Sequence, residues 1–249
     1  MKRLDNKIAV ITGGNSGIGL STAKTFIDQG AKVAIFGRNQ KTLDDAVETL
    51  GTNAIGIQGD VTNDDDLKKL FDDTQSRFGK IDIVFANAGV ADFMPLEAIT
   101  DEHIDKVFGI NVKGTLKTVQ LSLGALNDNA SIILTTSDIN KLGVAGSSIY
   151  AASKAAIRSM ARTFSRELLE RGIRVNAVAP GPVSTPIFGR MGLPEEVAEG
   201  IEGEFTSLVP LARAGKPSEI ADAALFLASS ESSYMVGAEL VVDGGLTQL

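Results

Sequence analysis

Tyr150 and Lys154 stand four residues apart in Tyr150-Ala151-Ala152-Ser153-Lys154, at the start of an Ala-rich run. Ile157, Met160, Ala161, Phe164 and Leu168 follow as a helical apolar stripe. If that helix already includes Tyr150, the phenol and the ammonium share one face, with Cβ atoms roughly 5–6 Å apart. An ammonium held beside a phenol favours the phenolate and lowers a pKa that is about 10 in a free peptide. That would make an acid/base catalyst of Tyr150 near neutral pH. Ser137, 13 residues upstream at the end of an apolar run, can offer a hydroxyl to a substrate oxygen. Alone, Tyr-x-x-x-Lys is an ordinary surface pair, so its meaning depends on the elements that position it.

Composition narrows the chemistry. The 249 residues are enough for one large α/β domain or two small ones. Hydrophobic residues at 43% and charged residues at 22% make an ordinary soluble balance. A net charge of −7 and a pI near 4.9 disfavour nucleic acid or an anionic membrane as partner. No Cys and a single His103 leave no thiolate chemistry and no Cys- or His-rich metal site. The first residues lack an apolar signal core and no run reaches the ~18 apolar residues of a membrane span, so a cytoplasmic protein is expected.

The first strand, Lys7 to Thr12, is a short apolar run of the kind buried on both faces. Thr12-Gly13-Gly14-Asn15-Ser16-Gly17-Ile18-Gly19 follows, then a helical pattern from Leu20. Strand, glycine turn and helix start in succession are the setting of a dinucleotide fingerprint, although the spacing is G-x-x-x-G-x-G. Glycine permits the tight turn and a close approach of backbone to pyrophosphate, which sits at the helix N-terminus. A glycine turn without a ligand is the plain alternative. The second strand, Ala31 to Phe36, ends in Gly37-Arg38-Asn39. Where NAD sites place a carboxylate for the ribose 2′-hydroxyl, this chain has a guanidinium suited to a 2′-phosphate. Arg38 therefore points to NADP(H), unless it merely caps the surface.

The third strand, Asn53 to Gln58, leads into Asp60-Val61, where Asp60 can accept from an adenine amino group and Thr62 or Asn63 can cap the next helix. The fourth, Ile81 to Ala86, ends in Asn87-Ala88-Gly89. One helix is expected over 101–123 with Asn111 inside it, where Asn is mildly unfavourable and marks either a local distortion with a purpose or simple solvation. The fifth strand, Ser131 to Thr136, delivers Ser137, and the helix carrying Tyr150 follows. The sixth, Ile173 to Val178, exits into Pro180-Gly181-Pro182-Val183-Ser184-Thr185-Pro186. Pro217 opens a last helix and 239–242 is a final strand. This alternation predicts one domain over 1–249 built on a doubly wound parallel sheet.

Together these motifs resemble the short-chain dehydrogenase/reductase family over nearly the whole chain. Its T-G-x-x-x-G-x-G turn matches Thr12 to Gly19, and its N-N-A-G motif appears as Ala86-Asn87-Ala88-Gly89, with Ala replacing the first Asn. Its catalytic Asn, Ser, Tyr and Lys map to Asn111, Ser137, Tyr150 and Lys154, and its P-G segment to Pro180-Gly181. The resemblance implies a Rossmann-type fold with seven strands in the order 3-2-1-4-5-6-7. It also implies that Tyr150 protonates the carbonyl oxygen and that Lys154 holds the nicotinamide ribose hydroxyls. Ser137 would polarise the carbonyl, Asn111 anchor a water, and Val183 and Thr185 touch the carboxamide. Hydride arrival creates an alkoxide, which needs a donor and a proton source placed in advance.

The resulting expectation is an NADP(H)-dependent reductase of a small-molecule ketone or aldehyde, requiring no metal. Alternatives are a 3-oxoacyl-(acyl-carrier-protein) reductase, a glucose 1-dehydrogenase-like enzyme, and a dinucleotide-sensing protein without catalysis. Leu126-Asn127-Asp128-Asn129-Ala130, before the fifth strand, lacks basic residues suited to an acidic carrier. Ser184 to Thr206 is long for a connection and reads as a lid. Ile187, Phe188 and Met191 on it, with Phe93, Met94, Leu142 and Val144 after the fourth and fifth strands, are expected to form an apolar substrate wall, unless the lid residues simply pack on the body. Family habit implies a homotetramer, with apolar helix faces over 107–123 and 157–168 as its surfaces; those faces could equally pack within one subunit.

Overall fold

The computed structural model of the protein describes residues 2–186 and 206–249, together with Gly200 and Gly203. Its strands are β1 (Ile8–Thr12), β2 (Lys32–Gly37), β3 (Ala54–Gln58), β4 (Ile81–Ala86), β5 (Leu126–Thr135), β6 (Arg174–Pro180) and β7 (Glu239–Val242). They form one sheet in the order β3-β2-β1-β4-β5-β6-β7, every pair parallel. This is the expected order. The helices are α1 (Gly17–Asp28), α2 (Gln40–Leu50), α3 (Asp64–Phe78), α4 (Asp101–Phe108), α5 (Gly114–Ser122), α6 (Ser148–Leu168) and α7 (Pro217–Ala228). No helix among the described residues is long and apolar enough to cross a membrane.

The unbroken apolar strand runs are explained by burial on both faces. Successive side chains alternate across a strand, so one run feeds two cores. Val10, Val84, Ile132 and Leu134 enter one, with Ile157 and Ala161 of α6; Ala9, Ile11, Phe85 and Ile133 enter the other, with Phe26 of α1 and Ala224 of α7. The α6 stripe thus packs inside the chain rather than outside it, with Met160, Phe164 and Leu168 partly buried against the same core. Val107 and Val119 are buried too. The apolar faces expected to join subunits are therefore used in the chain's own core.

Two departures from the expected elements are larger than a shift of one or two residues. The helix over 101–123 is interrupted by a π-helical turn at Gly109–Lys113, which contains the buried Asn111. Such a widened turn re-aims side chains and is common at functional sites. Strand β5 begins at Leu126 rather than Ser131, because Leu126 pairs with Ile81 ahead of a register irregularity. Asn63 caps α3, accepting from the backbone N–H of Asp65 at 2.9 Å and of Asp66 at 3.4 Å. Because β1 pairs with both β2 and β4, the chain reverses direction across the sheet there, and the carboxyl ends of these strands open a crevice.

Candidate active site

The crevice begins at the end of β1. Gly13 and Gly17 adopt φ of +65° and +51°, conformations that glycine enters without strain. A Cβ on Gly19 would lie 2.2 Å from the Gly13 carbonyl oxygen, so only glycine lets α1 pack onto its own entry turn. Ser16 precedes α1 in extended conformation and makes no side-chain cap, and no acid stands in the first turn. The helix thus presents its first N–H groups and positive dipole end to the crevice, an arrangement that fits a pyrophosphate. Thr12 Oγ1 accepts from the N–H groups of Asn87 and Ala88, each at 3.1 Å, which ties the Asn-Ala-Gly segment beside the turn.

Arg38 follows β2 at the rim, its side chain 70% exposed, with Nη1 3.9 Å from Asp60 Oδ2. Asp60 Oδ1 accepts from the Thr62 N–H at 2.9 Å and from its hydroxyl at 2.8 Å. Its carboxylate therefore faces Arg38 and Thr62.

At the far end of the crevice Ser137, Tyr150 and Lys154 come together, all buried. The Ser137 hydroxyl donates to Asp138 Oδ1 at 3.0 Å. Lys154 Nζ donates to the Thr135 carbonyl at 3.0 Å and lies 5.7 Å from the centroid of the Tyr150 ring. The proximity inferred from the four-residue spacing is present, yet the Tyr150 pKa moves the other way. Burial pushes the phenol up to about 12, a hydrogen bond with Ser137 works against that rise, and the Asp138 charge adds to it. Burial also brings the Lys154 ammonium down to about 8. Desolvation is the largest influence on each of the two groups.

Asn111 spends both its amide protons and one oxygen lone pair on the protein. Nδ2 donates to the Val90 carbonyl and to Ser153 Oγ, each at 3.0 Å, while Oδ1 accepts from the Val90 N–H at 2.9 Å. Both amide protons are spent on protein, so the side chain fastens the loop after β4 to α6 and has no donor left for a water.

Turn and triad line one cavity of about 400 Å³. Gly13, Asn15, Ser16, Gly17, Ile18 and Arg38 border one end. Ser137, Tyr150 and Lys154 border the other, with Asn87, Ala88 and Gly89 between them. Pro180, Gly181, Val183 and Thr185 close one side, and Phe93, Leu142 and Val144 line the wall near Tyr150. The Phe93 and Tyr150 rings pack with centroids 5.5 Å apart.

Five expected site residues are not among those lining the cavity. Gly19 and Asn111 support it from behind, Val61 packs where a Gly114 Cβ would stand, and Met94 is held by its N–H on the Gly146 carbonyl at 2.8 Å. Asp60 stands behind Arg38. Ile187, Phe188 and Met191, with most of the expected lid, lie outside the described residues. The wall also contains groups absent from the sequence reading: Asp92, Lys106 and Asp138. Lys106 Nζ donates to Asp92 Oδ2 at 2.6 Å. The wall is thus apolar with charged inclusions. Only its position directly after Ser137 could have flagged Asp138.

The family described as Enoyl-(Acyl carrier protein) reductase matches residues 13–247. Oxidoreductase asL5 of Sarocladium schorii is 45% identical over 251 residues, covering 100% of this chain and 99% of that protein. The 3-oxoacyl-[acyl-carrier-protein] reductase FabG of Thermotoga maritima is 37% identical, over 98% of this chain and 99% of that protein. Among solved structures, levodione reductase superposes with a TM-score of 0.91 at 29% identity, over 98% of this chain and 99% of that one. Sheet order, glycine turn and full-length likeness agree: the chain belongs to the short-chain dehydrogenase/reductase family, oxidoreductases that use a nicotinamide cofactor on alcohol and carbonyl groups of small molecules.

Proposed function

We propose that the protein is an NADP(H)-dependent carbonyl reductase acting on ketones with apolar substituents. The observation that carries this reading is that the Gly13–Ile18 turn, Arg38 and the Ser137, Tyr150, Lys154 group line one continuous cavity. The cofactor, when bound, supplies or accepts a hydride at that cavity. Tyr150 keeps its proton through the neutral range because its pKa is pushed up to about 12, so it serves as an acid toward a developing alkoxide. Ser137 orients the carbonyl oxygen, and Lys154 is the residue to hold ribose hydroxyls beside the phenol. Asn111 acts by holding the loop after β4 in place. Arg38, with no acid at the end of β2 and its guanidinium open to solvent, is the residue to take a 2′-phosphate.

The substrate reading rests on Phe93, Leu142 and Val144, which offer apolar area worth roughly 25 cal/mol per Å² and few donors to a polyhydroxylated sugar. The test is a side-by-side panel following NADPH absorbance with aromatic and medium-chain ketones, a 3-oxoacyl thioester and glucose. Ketones should show the highest kcat/KM. A higher value for glucose oxidation or for the thioester overturns the substrate assignment, and no turnover with any carbonyl favours a dinucleotide-sensing role.

A further inference from the structure

A hydroxyl has one proton to give, and Ser137 gives its own to Asp138. Asp138 is only 6% exposed, yet it lines the cavity beside Ser137 and Tyr150. A carboxylate there competes with a substrate carbonyl oxygen for the proton of the hydroxyl meant to polarise it. We infer that Asp138 is a positioning residue that sets the hydrogen-bonding direction of Ser137. Ionised, Asp138 holds the Ser137 proton, and the Ser137 oxygen accepts from the hydroxyl of an alcohol substrate. Protonated, Asp138 releases that proton, and Ser137 donates to a carbonyl oxygen. The inference rests on the reading of Ser137 and Tyr150 as the groups that meet the substrate.

The surroundings allow Asp138 to change charge in a useful range. Its own segment favours the ionised form through the Ser137 hydroxyl and the Ile139 N–H. The segment after β7 presents Asp243, which opposes it. Helix α6 presents Tyr150, whose phenol is raised by the Asp138 charge, and Lys154, which is directed to the Thr135 carbonyl. Glu239 of β7 is taken up by Thr136 and Asn140 and faces Lys141 and Arg158. Burial is the largest influence and pushes the Asp138 carboxyl up to about 6. Below that pH Ser137 is free to donate and a carbonyl ligand is held more tightly; above it, an alcohol ligand is. One neutral hydrogen bond sets the scale, roughly 2- to 12-fold in the dissociation constant.

The experiment measures, across pH, the dissociation constants of a ketone from the NADP+-loaded enzyme and of an alcohol from the NADPH-loaded enzyme, pairs that cannot react, for the wild type, Asp138→Asn, Ser137→Ala and the double variant. In the wild type ketone affinity should fall and alcohol affinity rise as pH passes through about 6. In Asp138→Asn, whose amide does not titrate, both limbs should vanish. Because Asp138 acts through Ser137, adding Asp138→Asn to Ser137→Ala should change neither profile further. A limb that survives in Asp138→Asn, or effects that simply add in the double variant, overturns the inference. Should Asp138→Asn fail to fold, Asp138→Ser supports the same comparison. Full activity in Tyr150→Phe would instead overturn the reading of the site, whereas an inactive Tyr150→Phe with unchanged limbs in Asp138→Asn removes this inference alone.

Discussion

Lys154 Nζ lies over the face of the Tyr150 ring, 5.7 Å from its centroid, and donates to the Thr135 carbonyl at 3.0 Å. The ammonium is therefore buried against a ring and a backbone oxygen, and burial lowers its pKa from 10.5 to about 8. For a base with a depressed folded pKa, stability is greatest above the unfolded value and is lost as pH falls through the folded one. At neutral pH the cost is about 3 kcal/mol by the usual conversion of pKa shift to free energy. Lys154→Met should accordingly melt higher than the wild type at neutral pH while turning over little or no substrate, and the gap in stability should narrow as pH approaches 10.5. Denaturant titrations at both pH values check this; a less stable Lys154→Met at neutral pH contradicts it.

Tyr150→Phe keeps the ring that packs on Phe93 and removes only the phenolic hydroxyl. NADPH binding measured by fluorescence should stay within a few-fold of wild type, while kcat for ketone reduction falls by about 10²–10⁴-fold, the usual worth of general acid catalysis. A near-wild-type kcat would take Tyr150 out of the chemistry.

Among the described residues Arg38 has one weak companion, Asp60 at 3.9 Å, so its guanidinium can pair with a phosphate without breaking a close contact there. The wild type should prefer NADPH to NADH, and Arg38→Ser should erase a preference of roughly 10- to 150-fold in kcat/KM, the value of a charge-assisted hydrogen bond. Equal efficiency with both cofactors in the wild type would refute the assignment.

Asn111→Ala strips partners from the Val90 N–H and carbonyl and from Ser153 Oγ inside the protein. Leaving such groups unpaired costs about 2–4 kcal/mol in total, which for a chain of this size lowers Tm by about 4–16 °C. Differential scanning calorimetry measures it. A Tm within a degree or two of wild type would mean that the loop after β4 does not depend on Asn111.

A homotetramer remains the expected assembly, now argued from different residues. The α6 stripe is internal, whereas Tyr234, Val236 and Leu249, at or near the carboxyl end of the chain, are exposed at 102%, 45% and 94%. Apolar side chains left outside in this region suit a second copy of the chain. Light scattering should give four times the 26.1 kDa chain mass at micromolar concentration. The chain mass itself would exclude the assembly, and Tyr234→Asp with Leu249→Asp should weaken it.

The strands and the cofactor turn were readable in the chain because their causes are local, whereas the strand order followed from the family resemblance. A strand covered on both faces must be largely apolar, as Ile8–Thr12 and Ile81–Ala86 are apart from Thr12 and Asp82, and a turn such as Gly13 to Gly19 needs glycine wherever φ is positive or backbones touch. The spacing of Tyr150 and Lys154 likewise follows from helix geometry. What tertiary structure decided is what distant residues do to these groups. Whether the phenol titrates up or down depends on its enclosure by segments far away in sequence, and desolvation overruled the attraction inferred from spacing. The π turn carries Asn111, whose side chain meets Val90 and Ser153, 21 and 42 residues away. The stripe of α6 faces inward because the sheet supplies its partner. Asp138 gains its place at the cavity only when β5, α6 and the segment after β7 converge on it, since burial and charge are properties of the assembled fold rather than of any one stretch of chain.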